Sequence, residues 1–132
     1  MKVLVATEKP CAAAAVNGIR SIVEKAGHEL ALLEKYTEKK QLLAAVADAD
    51  ALIVRSDKVT SEVIAAAPKL KIVVRAGAGY DNIDLSACTE QGVVAMNTPG
   101  QNSNAVAELA LAMMIFMSRN QFTPGTGMEI KG

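Results

Sequence analysis

Short unbroken runs of apolar residues alternate along this chain with longer stretches in which apolar residues recur every three or four positions. The runs at 3–6, 30–33, 51–54, 72–74 and 93–96 are rich in Val, Leu and Ile, the pattern of strands buried on both faces. Between them the period lengthens. Residues 11–25 place Val16, Ile19 and Val23 on one helical face, and residues 38–47 do the same with Leu42, Leu43 and Val46. Thr60 is placed to cap a helix over 61–67 that Pro68 ends, and Asp84 one over 85–91 that Gly92 ends.

Strand and helix alternate five times with short connections, which implies parallel strands joined by right-handed crossovers. The predicted fold is α/β: a flavodoxin-like five-stranded parallel sheet, order 2-1-3-4-5, with helices on both faces. A long apolar C-terminal helix follows, from Ser103 to about residue 120, with Ala105, Leu109, Met113, Met114 and Phe116 spread around its circumference. A helix covering one sheet face needs only a stripe, so this one is expected to be buried on several sides, partly by a partner surface. The Pro/Gly/Thr-rich run "FTPGTGMEIKG" then reads as a linker. The expected division is a domain over 1–120 and a linker over 121–132 leading to a domain outside this sequence, so the chain reads as part of a longer protein.

The 132 residues suffice for one compact domain with a core. Lys plus Arg and Asp plus Glu balance at 14 each, which argues against nucleic acid or an anionic membrane as partner. The four aromatics, Tyr36, Tyr80, Phe116 and Phe122, are too scattered for a base-stacking platform. Cys11 and Cys88 have no metal-ligand spacing and His28 stands alone, so no metal site is expected and the thiols read as reduced. Met1 leads straight into a strand pattern with no room for a signal peptide, and the apolar run 105–117 falls short of the ~18 residues of a span. The expectation is a soluble, cytoplasmic protein.

In an open parallel sheet, ligands bind beyond the carboxyl ends of the strands. The residues following the strands are Thr7; Arg55, Ser56 and Asp57; Arg75, Ala76, Gly77, Ala78 and Gly79; and residues 97–102, ending at Asn102. All are expected on one rim. Arg55 ends an apolar strand, where a guanidinium calls for an anion, whether a ligand or a carboxylate such as Asp57 or Glu8. Gly77 and Gly79 let a carboxylate or phosphate reach backbone N–H groups. Asn102, Ser103 or Asn104 can cap the long helix, whose free N–H groups would face the same rim. Arg75 has the weaker case and is expected to pair with Asp81. Gly77-x-Gly79 is no dinucleotide fingerprint, because Asn82 stands where the third glycine belongs. No nucleophile–base pair is present. A phospho-accepting receiver module on the same fold would place its aspartate near Asp57. It would also need an acidic pair after the first strand and a lysine after the fifth, and this sequence has neither.

At "RAGAGYDNID", "GVVAMNTPGQNSNAVAELALAMMI" and "ALIVRSDKVTSEVIAAAPKLKIVVRAGAG", the chain resembles the D-isomer-specific 2-hydroxyacid dehydrogenases along nearly its whole length. The resemblance implies a substrate-binding domain for a small anionic 2-hydroxy acid, working with an NAD-binding domain of the same enzyme and forming a homodimer. It leaves open which acid is bound. By the same likeness Arg55, Ser56, Ala76, Gly77, Gly79 and Asn102 are substrate contacts, while Ala78 and Val106 approach the nicotinamide. The long helix would cross toward the NAD domain and join the dimer contact. The catalytic arginine, glutamate and histidine, and the NAD fingerprint, would lie beyond Gly132, so no catalytic residue is assigned to this chain. Relatives often carry Arg-Ser-x-Thr after the third strand. Here Arg55-Ser56-Asp57-Lys58 is one residue short and has no threonine, and Ala78 replaces a frequent hydroxyl.

Overall fold

The computed structural model describes residues 1–119 and the short strands Phe122–Thr123 and Gly127–Met128. The described residues fall into two units, one from Met1 to Pro99 and one from Gly100 onward. In the first, strands β1 (Lys2–Thr7), β2 (Glu29–Glu34), β3 (Ala51–Val54), β4 (Ile72–Arg75) and β5 (Val94–Asn97) alternate with helices α1 (Ala13–Lys25), α2 (Lys39–Val46), α3 (Ser61–Ala65) and α4 (Leu85–Glu90). All neighbouring strands are parallel and the order is β2-β1-β3-β4-β5, as the alternation predicts. The second unit holds α5 (Ser103–Ser118) and the antiparallel pair β6 (Phe122–Thr123) and β7 (Gly127–Met128). Most of the expected linker lies outside the described residues.

One sheet face carries the core. Leu4 and Ala6 of β1, Leu52 and Val54 of β3 and Val73 of β4 pack with Leu42, Val46, Val63, Ile64 and Cys88 of α2, α3 and α4. Successive strand side chains alternate faces, so Val5 and Ile53 point the other way, toward α1, where they line a cavity with Ala15 and Ile19. Burial on both faces does not hold throughout. On β5, Val94 and Met96 are 55% and 52% exposed. An apolar run records what a strand can bury, whereas its actual burial depends on which element lies over it.

The helix ends follow local chemistry. α1 and α4 close alike: Gly27 and Gly92 adopt φ of 75° and 68°, and the next residue's N–H reaches back, His28 to Val23 O at 3.0 Å and Val93 to Cys88 O at 2.8 Å. Val93 is therefore part of the α4 terminus, and β5 starts one residue later than its apolar run. Asp84 caps α4 by accepting from the Ala87 N–H at 3.0 Å. Thr60 precedes α3 but makes no such bond, and its buried Oγ1 has no partner among the described residues. Asn102 precedes α5, also without a side-chain cap. No residue of α5 is buried in the single chain, contrary to the burial its composition predicts. No described helix is long and apolar enough to cross a membrane.

Candidate functional site

Parallel strands deliver their carboxyl ends to one edge. Ala6 pairs with Val54, Val54 with Arg75 and Arg75 with Asn97, so Thr7, Arg55, Ala76 and Thr98 follow side by side. The Ala76 N–H donates to Val54 O at 2.8 Å, extending the ladder by one residue and setting Ala76 against Arg55. Arg55 and Ala76 line an apolar cavity of about 340 Å³ between α1 and the sheet. Arg55 and Ser56 also line a smaller polar cavity of about 110 Å³ with Thr7, Glu8, Lys9 and Asp57.

The glycine loop is tied to the end of β5. Gly77 O accepts from the Thr98 N–H at 3.0 Å, and Ala78 O accepts from Asn97 Nδ2 at 2.7 Å. The Gly77 N–H folds back onto Arg75 O at 2.9 Å. Among the described residues, no backbone carbonyl takes up the Ala78 and Gly79 N–H groups. The Arg75 guanidinium lies closest to Gly77 and also approaches Gly79, whose nearest neighbour is Asp81 Oδ1, 3.0 Å from where a Cβ would stand. A Cβ on Gly77 would come within 2.6 Å of Arg75 Cζ, and one on Gly79 within 3.6 Å of Arg75 Nη1. Arg75 Nε donates to Arg55 O at 2.9 Å, so this side chain crosses the loop and binds it to the neighbouring strand end.

Two expectations change here. Arg55 is exposed, so burial of its guanidinium does not by itself demand an anion. Arg75 does not pair with Asp81. Among the described residues the ion pairs are Lys2–Asp48, Arg20–Glu24 and Lys39–Glu62, and none includes Arg55 or Arg75. Two guanidiniums thus end adjacent strands outside the ion pairs of the described residues: Arg75 lies along the glycine loop, where Asp81 Oδ1 also approaches Gly79, and Arg55 opens on the cavities beside Thr7 and α1. Guanidiniums so placed can receive a small anion through charge-assisted hydrogen bonds.

Asp57 is only 4% exposed. Its Oδ1 accepts from the Glu8 N–H at 2.8 Å and from the Tyr36 hydroxyl at 2.5 Å, and its carbonyl accepts from Asn82 Nδ2 at 2.7 Å. Among the described residues, neither Arg55 nor any other cation is its partner. Tyr36 is buried at the end of β2, and that burial, with the hydrogen bond to Asp57 and the negative charge of Asp57 and Glu8, raises its pKa well above the ordinary tyrosine value. The topology that sets Arg55 on the rim sets Tyr36 and Asp57 there too, and that is the one sign the sequence offers of this contact. Asn82 joins the loop before α4 to the Asp57 turn, and Val59 bridges Ile83 alongside it.

The structure therefore brings Arg55, Ser56, Ala76, Gly77, Ala78 and Gly79 to one edge of the first unit. Asn102 and Val106 belong to the second unit, where both are exposed and Asn102 O accepts from the Val106 N–H at 3.0 Å. His28 is exposed just beyond α1. Cys88 is buried in the core, which raises its thiol pKa.

The sequence profile of the D-isomer specific 2-hydroxyacid dehydrogenase catalytic domain matches residues 6–126, and the chain belongs to this family. Among its relatives are D-3-phosphoglycerate dehydrogenases. The Mycobacterium tuberculosis enzyme is 54% identical over 83 residues, 62% of this chain and 16% of that protein. The Sus scrofa enzyme is 47% identical over 102 residues, 76% of this chain and 19% of its own. The crystal structure of NAD+-bound 3-phosphoglycerate dehydrogenase from Entamoeba histolytica superposes with a TM-score of 0.85 and 57% identity, covering 99% of this chain and 43% of that one. The chain thus spans about a fifth or less of these curated relatives and under half of that solved chain.

Proposed function

We propose that this chain is the substrate-binding portion of an NAD-dependent D-3-phosphoglycerate dehydrogenase, which oxidises 3-phosphoglycerate to 3-phosphohydroxypyruvate at the entry to serine biosynthesis. The observation that carries this reading is the rim itself, where Arg55 and Arg75 end adjacent strands outside the ion pairs of the described residues and Arg75 lies along the glycine loop. A substrate with a carboxylate at one end and a phosphate at the other suits that array better than an uncharged alcohol. Ser56 and Ala76 form its walls, and Asn102 is assigned to substrate binding on the family likeness alone.

The residues present fit only one wall of a nicotinamide site. Ala78 and Val106 are assigned to the nicotinamide on the family likeness alone, and Asn82 stands where a dinucleotide loop needs its third glycine, its amide already bonded to Asp57 O. Bound in the intact enzyme, NAD would supply the hydride acceptor for oxidation at C2. This chain's own residues bind and orient the acid. The single histidine is the exposed His28, so the chain by itself is not expected to turn over substrate. We assign residues 1–120 to the substrate domain and 121–132 to the linker, with cytoplasmic location and homodimerisation through α5 completing the reading.

The test is Arg55→Ala in the intact enzyme. Loss of a charge-assisted contact of about 1.5–3 kcal/mol raises KM for 3-phosphoglycerate by roughly ten- to a hundredfold. Unchanged KM and kcat would remove Arg55 from the site.

A further inference from the structure

Arg55 and Asp57 are two residues apart and line the same small cavity, yet they do not pair. A carboxylate and a guanidinium that reach each other make a strong charge-assisted pair. Here the Asp57 carboxylate is held inward, its Oδ1 bonded to the Glu8 N–H and the Tyr36 hydroxyl, while its backbone carbonyl is anchored by Asn82.

We infer that Tyr36 is a positioning residue that locks the Asp57 carboxylate away from Arg55 and so leaves that guanidinium free for an incoming anion. This rests on the proposed role of Arg55 in substrate binding. The geometry supplies each part. Tyr36 is 7% exposed and fixed in the core beside Leu42, and its hydroxyl is the one side-chain donor on Asp57 Oδ1. Tyr36 remains a neutral donor through the physiological range, because burial and the adjacent carboxylates resist its ionisation. Without it, the carboxylate loses one of two hydrogen bonds, and Arg55 and Lys9, outside the ion pairs of the described residues, line the same cavity. An Asp57–Arg55 pair would then compete with the substrate for one guanidinium.

The effect predicts a sign pattern that general damage to the fold does not. Tyr36→Phe is expected to bind 3-phosphoglycerate about tenfold more weakly, by calorimetric titration of the intact enzyme. Asp57→Asn keeps an Oδ1 acceptor for both donors and carries no charge, so it is expected to bind as tightly as wild type or more tightly. The double variant Tyr36→Phe/Asp57→Asn is expected to recover the lost affinity, because no carboxylate remains to compete. Two results would overturn the inference: wild-type affinity in Tyr36→Phe, or a double variant no better than Tyr36→Phe. A separate reading comes from proton exchange at Arg55 Nε, measured without ligand. It should slow in Tyr36→Phe, where the new pair forms, and revert in the double variant. If wild type fails to bind 3-phosphoglycerate, the substrate assignment falls, and the exchange pattern alone decides whether Tyr36 holds Asp57 off Arg55.

Discussion

Replacing Gly77 with alanine puts a methyl group where the Arg75 guanidinium lies. The added Cβ would sit 2.6 Å from Cζ, whereas carbon atoms rest comfortably at about 3.5–4.0 Å. The side chain must therefore withdraw by about 1 Å, which breaks the 2.9 Å bond from Nε to Arg55 O. Losing that bond costs about 0.5–1.5 kcal/mol, toward the lower end because the site is exposed. Gly77 does not adopt positive φ, so alanine carries no backbone strain and restricts the unfolded chain, a gain of about 0.4–1 kcal/mol. The two terms nearly cancel, and Gly77→Ala alone is expected to change stability by less than about 1 kcal/mol. In an Arg75→Ala background the collision is absent and only the gain remains. A double-mutant cycle followed by urea unfolding should therefore show a coupling of about 1 kcal/mol between positions 75 and 77. Additivity within about 0.3 kcal/mol would refute the account of these glycines as space for the guanidinium.

Further outcomes follow from the core, the tyrosine and the last helix. Leu52 is fully buried in the core, and Leu52→Ala should lower the unfolding free energy by about 2–5 kcal/mol in the same urea assay. Tyr36 has a folded-state pKa above that of the unfolded chain, near 10, so its contribution is fully present below pH about 10 and is lost as pH rises beyond it. The stability difference between wild type and Tyr36→Phe should accordingly be flat at neutral pH and shrink in alkali, and a flat difference throughout would contradict the burial of that hydroxyl. Leu111 and Met114 of α5 are 60% and 66% exposed, and the chain is expected to self-associate through this helix. Leu111→Asp should shift sedimentation toward monomer, whereas a wild-type chain that stays monomeric at high concentration would count against the interface.

The sheet order was legible because five apolar runs separated by helical periods admit few topologies, and the α4 terminus because Asp84 and Gly92 carry their conformational preferences locally. The shared rim of Arg55 and the glycine loop followed from topology alone. Contacts between residues far apart in sequence were less visible. Tyr36 and Asp57 meet across two strand ends, and nothing in either neighbourhood marks a partner 21 residues away. Arg75 looked like a partner for Asp81, since sequence proximity suggests ion pairs. Its side chain instead turns back over residues that have no side chain to obstruct it. The exposure of Val94 and Met96 was hidden for another reason: strand-forming residues are apolar whichever surface later covers them.

The arrangement of β1 has a consequence for how the protein can be shortened or assembled. This strand lies inside the sheet, with β2 on one flank and β3 on the other, while β2 pairs with no other strand among the described residues. Lys2 adds a clasp, its amide donating to the Asp50 carboxylate at 2.7 Å while the Asp50 amide donates to Lys2 O at 2.9 Å. Clipping residues 1–7 would therefore not trim a border. It would cut the seam that joins β2 to the other three strands, and during synthesis that seam stays half open until residue 54 has left the ribosome.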